Sequence, residues 1–229
     1  MKRLGLLGGM SWQSSIEYER MINEGVRAAL GGTHSADLIV RSYDFAAIEA
    51  LQTADEWDAA GQLLATDARV LEQAGADAIV LCTNTMHRVA DAIENSISVP
   101  LLHLADATAV AVRAANVGTV ALLGTRYTME HDFYRERLER AGLAVVVPDE
   151  ADRALVHDII FGELVRGVIN PVSKDAYLAV ISRLIDGGAQ GVIAGCTEIE
   201  LLVTPDDVDV PYFATTTLHA QAAVEFALG

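Results

Sequence analysis

Three short polar clusters that follow apolar runs hold side chains able to move or relay a proton or to bind a small polar ligand. Gly195-Cys196-Thr197-Glu198 places one thiol after the run Gly191–Ala194. Thr83-Asn84-Thr85-Met86-His87 places a hydroxyl and an amide after Ala78–Cys82, and Gly8-Gly9-Met10-Ser11-Trp12 follows Leu4–Leu7. A free thiol has a pKa of ~8.5, which neighbouring donors or a helix N-terminus bring toward neutrality, so Cys196 is the candidate base. The Thr83 hydroxyl is a poor base that can relay a proton. Ser11, Asn84, Thr85 and Thr197 suit the holding of a carboxylate or amino group, with helix N-capping as the competing role. Glu198 assists Cys196, binds an ammonium group, or is a solvated carboxylate at a helix start. A buried cysteine is by default a small hydrophobe. That role is expected for Cys82, with proton carriage as the alternative. Cys196 is set apart by its place at a strand end, between Gly195 and Thr197.

These clusters need a frame. Strands are expected at Leu4–Leu7, Asp37–Arg41, Ala78–Cys82, Leu101–His103, Thr119–Leu123, Ala144–Val147, Gly191–Ala194 and Tyr212–Ala214. Helical periodicity covers Ser15–Leu30, Trp57–Ala74, Thr108–Ala115, Glu130–Ala141 and Lys174–Asp186. That alternation predicts an α/β protein with parallel sheet covered by helices on both faces. Ligands in such folds bind beyond the carboxyl ends of the strands.

The sequence also repeats. Gly75–Thr83 aligns without a gap on Gly188–Cys196, Leu6-Leu7-Gly8 matches Leu122-Leu123-Gly124, and Val99-Pro100 matches Val210-Pro211. Three matches in one order predict two pseudo-twofold-related lobes, each a parallel-sheet α/β sandwich, with an active-site cleft between them. The expected division is residues 1–104 plus 215–229 against 105–214, the last helix returning to the first lobe. By the repeat, the counterpart of Cys196 is Thr83. Side chains alternate faces along a strand, so Cys82 points elsewhere.

Composition narrows the function. The chain has 229 residues, 52% of them apolar and 21% charged, as in ordinary globular proteins. Its net charge of −16 repels phosphate backbones, so no nucleic-acid partner is expected. No apolar run reaches the ~20 residues that span a bilayer, and the first residues lack signal-peptide features, so a cytoplasmic location is expected. The two cysteines form no disulfide framework, and zinc-type spacing is absent, so no metal is expected. Lys2 and Lys174 are the only lysines and neither suits a buried Schiff base, which argues against a pyridoxal cofactor. Gly5-Leu-Leu-Gly8-Gly9 matches the dinucleotide fingerprint poorly.

Taken together, the opening glycine loop, the Thr83–His87 motif and Gly195–Glu198 resemble the aspartate/glutamate racemase superfamily along the whole chain. Threonine at position 83 stands where the family usually has its first cysteine. The resemblance implies a cofactor-independent amino-acid racemase and a homodimer. Two acid/base groups would flank the α-carbon, here Cys196 and Thr83. The threonine makes the pair asymmetric and, by likeness to a threonine/cysteine subgroup, implies preference for the L-enantiomer. Met10, Gln52 and Arg126 are further possible lining residues, Arg126 as an anion donor or an exposed loop arginine. His87 falls inside the motif, with packing on its own helix as the competing role; His103, His157 and His219 are expected to be structural. Members acting on aspartate or glutamate hold the distal carboxylate with basic residues. Here Asp44–Gln52 has none and Ile159–Arg166 has only Arg166, so a broader amino-acid range is an open alternative. Also open are a sister reaction, decarboxylation of a malonate or isomerisation of maleate, and an idle amino-acid-binding protein on the same scaffold.

Overall fold

Unbroken apolar runs have no polar face to offer water, so they become strands covered on both sides. The computed structural model describes residues 1–229, and the central strands of both its sheets are buried nearly throughout. The chain divides into two compact units, Met1–Leu104 with His219–Gly229, and Ala105–Leu218.

In the first unit the order along the chain is β1 (Leu4–Gly8), α1 (Trp12–Leu30), β2 (Leu38–Ser42), α2 (Phe45–Thr53), α3 (Trp57–Gln73), β3 (Ala78–Leu81), a 3-10 turn (Thr85–Val89), α4 (Ala90–Glu94) and β4 (Leu101–Leu102). The second continues with α5 (Leu104–Ala114), β5 (Thr119–Gly124), α6 (Arg126–Glu130), α7 (Asp132–Arg140), β6 (Ala144–Val146), α8 (Glu150–Gly162), a 3-10 turn (Leu164–Arg166) and α9 (Pro171–Asp186). It is completed by β7 (Gly191–Gly195), α10 (Ile199–Leu202), a 3-10 turn (Pro205–Asp207), β8 (Tyr212–Ala214) and the start of α11 (Thr215–Leu228). All pairings are parallel, and the strand orders are β2-β1-β3-β4 and β6-β5-β7-β8, the same order twice.

The core of each unit follows helical spacing. On α1 the buried stripe is Ser14, Tyr18, Ile22 and Val26, four residues apart, so one helix face meets the sheet. Tyr18 and Ile22 pack with Leu4, Leu6, Val80 and Cys82, and Ala220, Ala223 and Ala227 of α11 join the same cluster. In the second unit Val156 and Ile160 of α8 and Tyr177, Val180 and Ile181 of α9 close over Ala121, Leu123, Val192 and Ala194.

The repeat is carried into register. Leu81 of β3 lies opposite Leu7 of β1, and Ala194 of β7 lies opposite Leu123 of β5. Gly75 and Gly188, aligned in sequence, both take positive φ (93° and 105°) in the turn entering their strand, a region glycine occupies without strain. The carbonyls of Pro100 and Pro211 accept from Ile79 and Val192 at 2.9 Å in both units. Asp77 accepts from the Arg3 amide, and Gln190 likewise from Thr119. Counting from these fixed points, Thr83 and Cys196 each stand two residues past the matched pair.

Some elements differ from the sequence expectation. The helix expected at Glu130–Ala141 is two helices, because His131 is extended (φ −87°, ψ 144°) and Asp132 opens a new first turn. Periodicity did not single out α2 or α8 as helices. Three helices begin earlier than expected, at Trp12, Leu104 and Pro171. No helix is long and apolar enough to cross a membrane.

Candidate active site

The strands β1 and β3 are neighbours, so the loops leaving their carboxyl ends lie side by side. The first carries Gly9, Met10 and Ser11, the second Thr83, Asn84 and Thr85, and all six are buried. Ser11 caps α1 by accepting from the Ser14 amide at 3.4 Å. Capping and ligand contact can coexist here, since the other N–H groups of a helix's first turn remain donors. Gln52 lies buried on α2, where its amide N–H donates to the Met86 sulfur at 3.1 Å.

His87 does more than pack on its helix. Its Nδ1–H donates to the Thr83 carbonyl at 2.7 Å, and its Nε2 accepts from the Leu104 amide at 3.2 Å. Those two partners define a neutral ring with one tautomer and tie the residue after β3 to the start of α5. The four-residue spacing from Thr83 to His87 is the signal that could have suggested it.

Gly9 is required by its backbone. Its φ is +85°, and a Cβ there would run into the Tyr43 backbone nitrogen and oxygen. Its amide donates to the Ser15 hydroxyl at 2.6 Å, which fixes the loop that carries Ser11. Gly9→Ala is therefore expected to destabilise the protein by about 3 kcal/mol, read as a lower denaturant midpoint. A midpoint within error of the parent would show that the loop can yield.

The second unit presents Cys196, Thr197 and Glu198 after β7, with Arg126 after the adjacent β5. Cys196 is 9% exposed, and its thiol donates to the Glu198 carboxylate at 2.9 Å. Glu198 is itself only 6% exposed, so it is not a solvated helix-start carboxylate. Burial, and then the negative charge of Glu198, hold the thiol well above its ordinary pKa. The resting group is a protonated thiol hydrogen-bonded to the Glu198 carboxylate. Thr197 accepts from the Thr216 hydroxyl at 2.9 Å. Arg126 is exposed; its amide donates to His157 Nδ1 at 3.2 Å and its guanidinium forms no salt bridge. Burial and that positive charge lower the His157 pKa. Arg41, at the end of β2, is occupied differently, pairing with Asp67 at 2.9 Å and stacking over Tyr43.

Cys82 is fully buried in the first unit's apolar core, where burial drives its pKa far up. The structure adds one cap that the sequence reading does not include. Thr125 accepts from the Thr128 amide at 3.3 Å and opens α6 after β5, as Ser11 opens α1 after β1. The shared spacing, a hydroxyl residue followed three later by another, was the available signal.

Comparison with known proteins gives the family. The model of the Asp/Glu/Hydantoin racemase family matches residues 7–223, and this chain belongs to that family. A crystal structure of a candidate Asp/Glu racemase from Yersinia pestis is 54% identical, with a TM-score of 0.95 and full coverage of both chains. An aspartate racemase homologue from Pyrococcus horikoshii OT3 is 33% identical with a TM-score of 0.87, again over both whole chains. The broad specificity amino-acid racemase RacX of Bacillus subtilis (strain 168) is 25% identical over 157 residues, 67% of this chain and 66% of that one.

Proposed function

We propose that this chain is an amino-acid racemase that needs no cofactor and inverts the α-carbon between Cys196 and Thr83. The observation that carries the reading is their equivalence in register. Each follows a matched strand pair by two residues, one with a thiol and the other with a hydroxyl. The proposal requires both strand ends to address one substrate from opposite faces. Cys196 passes its proton to Glu198 to form the thiolate, which then takes the α-proton of the L-amino acid. The Thr83 hydroxyl delivers a proton to the other face and is reprotonated through water by the proton that Glu198 received, which returns all three groups to their resting state. The arriving ammonium group offsets the burial and the carboxylate charge that favour the neutral thiol. Cys82 has a packing role only. Ser11, Asn84, Thr85 and Thr197 hold the α-carboxylate and amino groups.

The substrate class is either Asp/Glu or a broader set of amino acids. Support for breadth comes from Arg41, which is already paired with Asp67, and from the broad specificity named for the Bacillus relative. Arg126, with no salt bridge of its own, is the donor available to an acidic side chain.

The test is α-proton exchange in heavy water, followed by NMR over all L- and D-amino acids without added cofactor. Exchange is expected from L-forms first, with slower exchange of the D-forms. Thr83→Ala should slow it about 100-fold, and Thr83→Ser should restore most of it. Carbon dioxide release from a malonate, fumarate formation from maleate, or binding without exchange would each replace this reading.

A further inference from the structure

The first three residues of α11 are all threonine, and each hydroxyl is bound to the segment around Cys196. Thr215 donates to the Ala194 carbonyl at 2.7 Å, Thr216 to the Thr197 hydroxyl at 2.9 Å, and Thr217 to the Glu200 carboxylate at 3.4 Å. The Thr216 amide donates to the same carboxylate at 3.1 Å. The bound positions 194, 197 and 200 are three apart and bracket the thiol.

We propose that Thr215–Thr217 and Glu200 form a clasp that positions the loop of Cys196, with Glu200 as a positioning residue for Thr197. The inference rests on the racemase reading only for what the loop does, since the clasp itself is described by its hydrogen bonds. Thr197 accepts from Thr216, which leaves its own O–H as a donor for a substrate carboxylate. The Glu200 carboxylate holds the Thr216 backbone in place beside Thr197, next to the anchor that Thr215 makes on the Ala194 carbonyl. An ionised carboxylate accepts from the Thr216 amide and the Thr217 hydroxyl with both oxygens, in charge-assisted bonds that weaken on protonation.

The clasp should therefore respond to pH. Burial pushes the Glu200 carboxyl up to about 7, against the pull of its bonds to Thr216 and Thr217. The titratable groups around it are Glu198 and Cys196 on the segment after β7, and Tyr212 on β8. The first turn of α11 contributes no charge, and Arg166, on the 3-10 turn packed against α10, is exposed. Glu198 repels the ionised Glu200 and helps to keep its pKa high. Below about pH 7 the carboxyl takes up a proton and the hold on Thr216 loosens.

The experiment is an NMR titration of the full chain between pH 5 and 9, following the Glu200 carboxyl carbon and the Thr216 and Thr197 amides. All three are expected to shift with one midpoint near 7, and Glu200→Gln should remove the step from both amides. Thr216→Val should leave the Glu200 titration in place and erase the Thr197 response. The same variant should raise KM for the racemised amino acid about tenfold, with kcat changed less than about threefold, the loss of one hydrogen bond at a binding group. A Thr197 amide that stays flat while Glu200 titrates, or that follows Glu200 in the Thr216→Val variant, overturns the clasp. Coupled titration with no α-proton exchange from any amino acid would retain the clasp and remove the racemase reading. Exchange with uncoupled titration would do the reverse.

Discussion

Cys196→Ala is expected to slow α-proton exchange by about 1,000-fold, because the substitution removes the group proposed to take the proton. The α-proton of an amino acid is a very weak acid, and no other thiol can substitute. Cys82, the remaining cysteine, lies wholly within the core cluster of Leu4, Leu6 and Val80. Cys82→Ala should accordingly keep exchange within a few-fold of the parent. The wild-type rate should rise with pH, since burial and Glu198 hold the Cys196 thiol above its ordinary pKa and the thiolate is the active form. Initial rates in deuterated buffer, measured across pH for the parent and both variants, check all three statements. Full exchange in Cys196→Ala would remove the thiol from the mechanism.

Acid is expected to weaken the fold through His219, by about 3 kcal/mol between pH 6.5 and 4. This imidazole is fully buried on α11, accepts from the Tyr18 hydroxyl at 2.9 Å and donates to the Leu102 carbonyl at 2.6 Å. Both bonds suit the neutral ring, and burial lowers its pKa to about 4. An unfolded chain takes up this proton near pH 6.5, whereas the folded chain refuses it until about 4. In that window the unfolded state binds more protons, so stability falls as pH falls; the contribution is complete above the window and gone below it. Carboxylates also contribute to acid unfolding, so the measurement is a difference. Denaturation free energies of the parent and His219→Gln, compared at pH 7.5 and 4.5, should converge by most of that amount. An imidazole that titrates near 6.5 in the folded protein would contradict the assignment.

How far the sequence could be followed depended on whether the information was local. Strands such as Ala78–Leu81 and Gly191–Gly195 were legible because an unbroken apolar run between turn residues has few other uses. The repeat was legible too, since Gly75 and Gly188 mark turns that need positive φ. Helix α2 was not, because Phe45-Ala-Ala-Ile-Glu-Ala-Leu is apolar on several sides and shows no stripe. Helix α8 was hidden for a related reason, its buried Val156, Ile159 and Ile160 gathering in its second half.

The amino-acid sequence by itself determined the α/β class, the doubled strand pattern and the loops that carry Ser11, Thr83 and Cys196, all of which follow from residue types a few positions apart. Tertiary structure alone decided the partners of the polar groups. Glu198 accepts from Cys196, His87 holds the Thr83 carbonyl, and three threonines near the chain's end grip residues 194 to 200. The physical reason is that a hydrogen bond needs a donor and an acceptor within about 3 Å. For groups distant in sequence, such as Thr216 and Thr197, only the folded chain sets that distance.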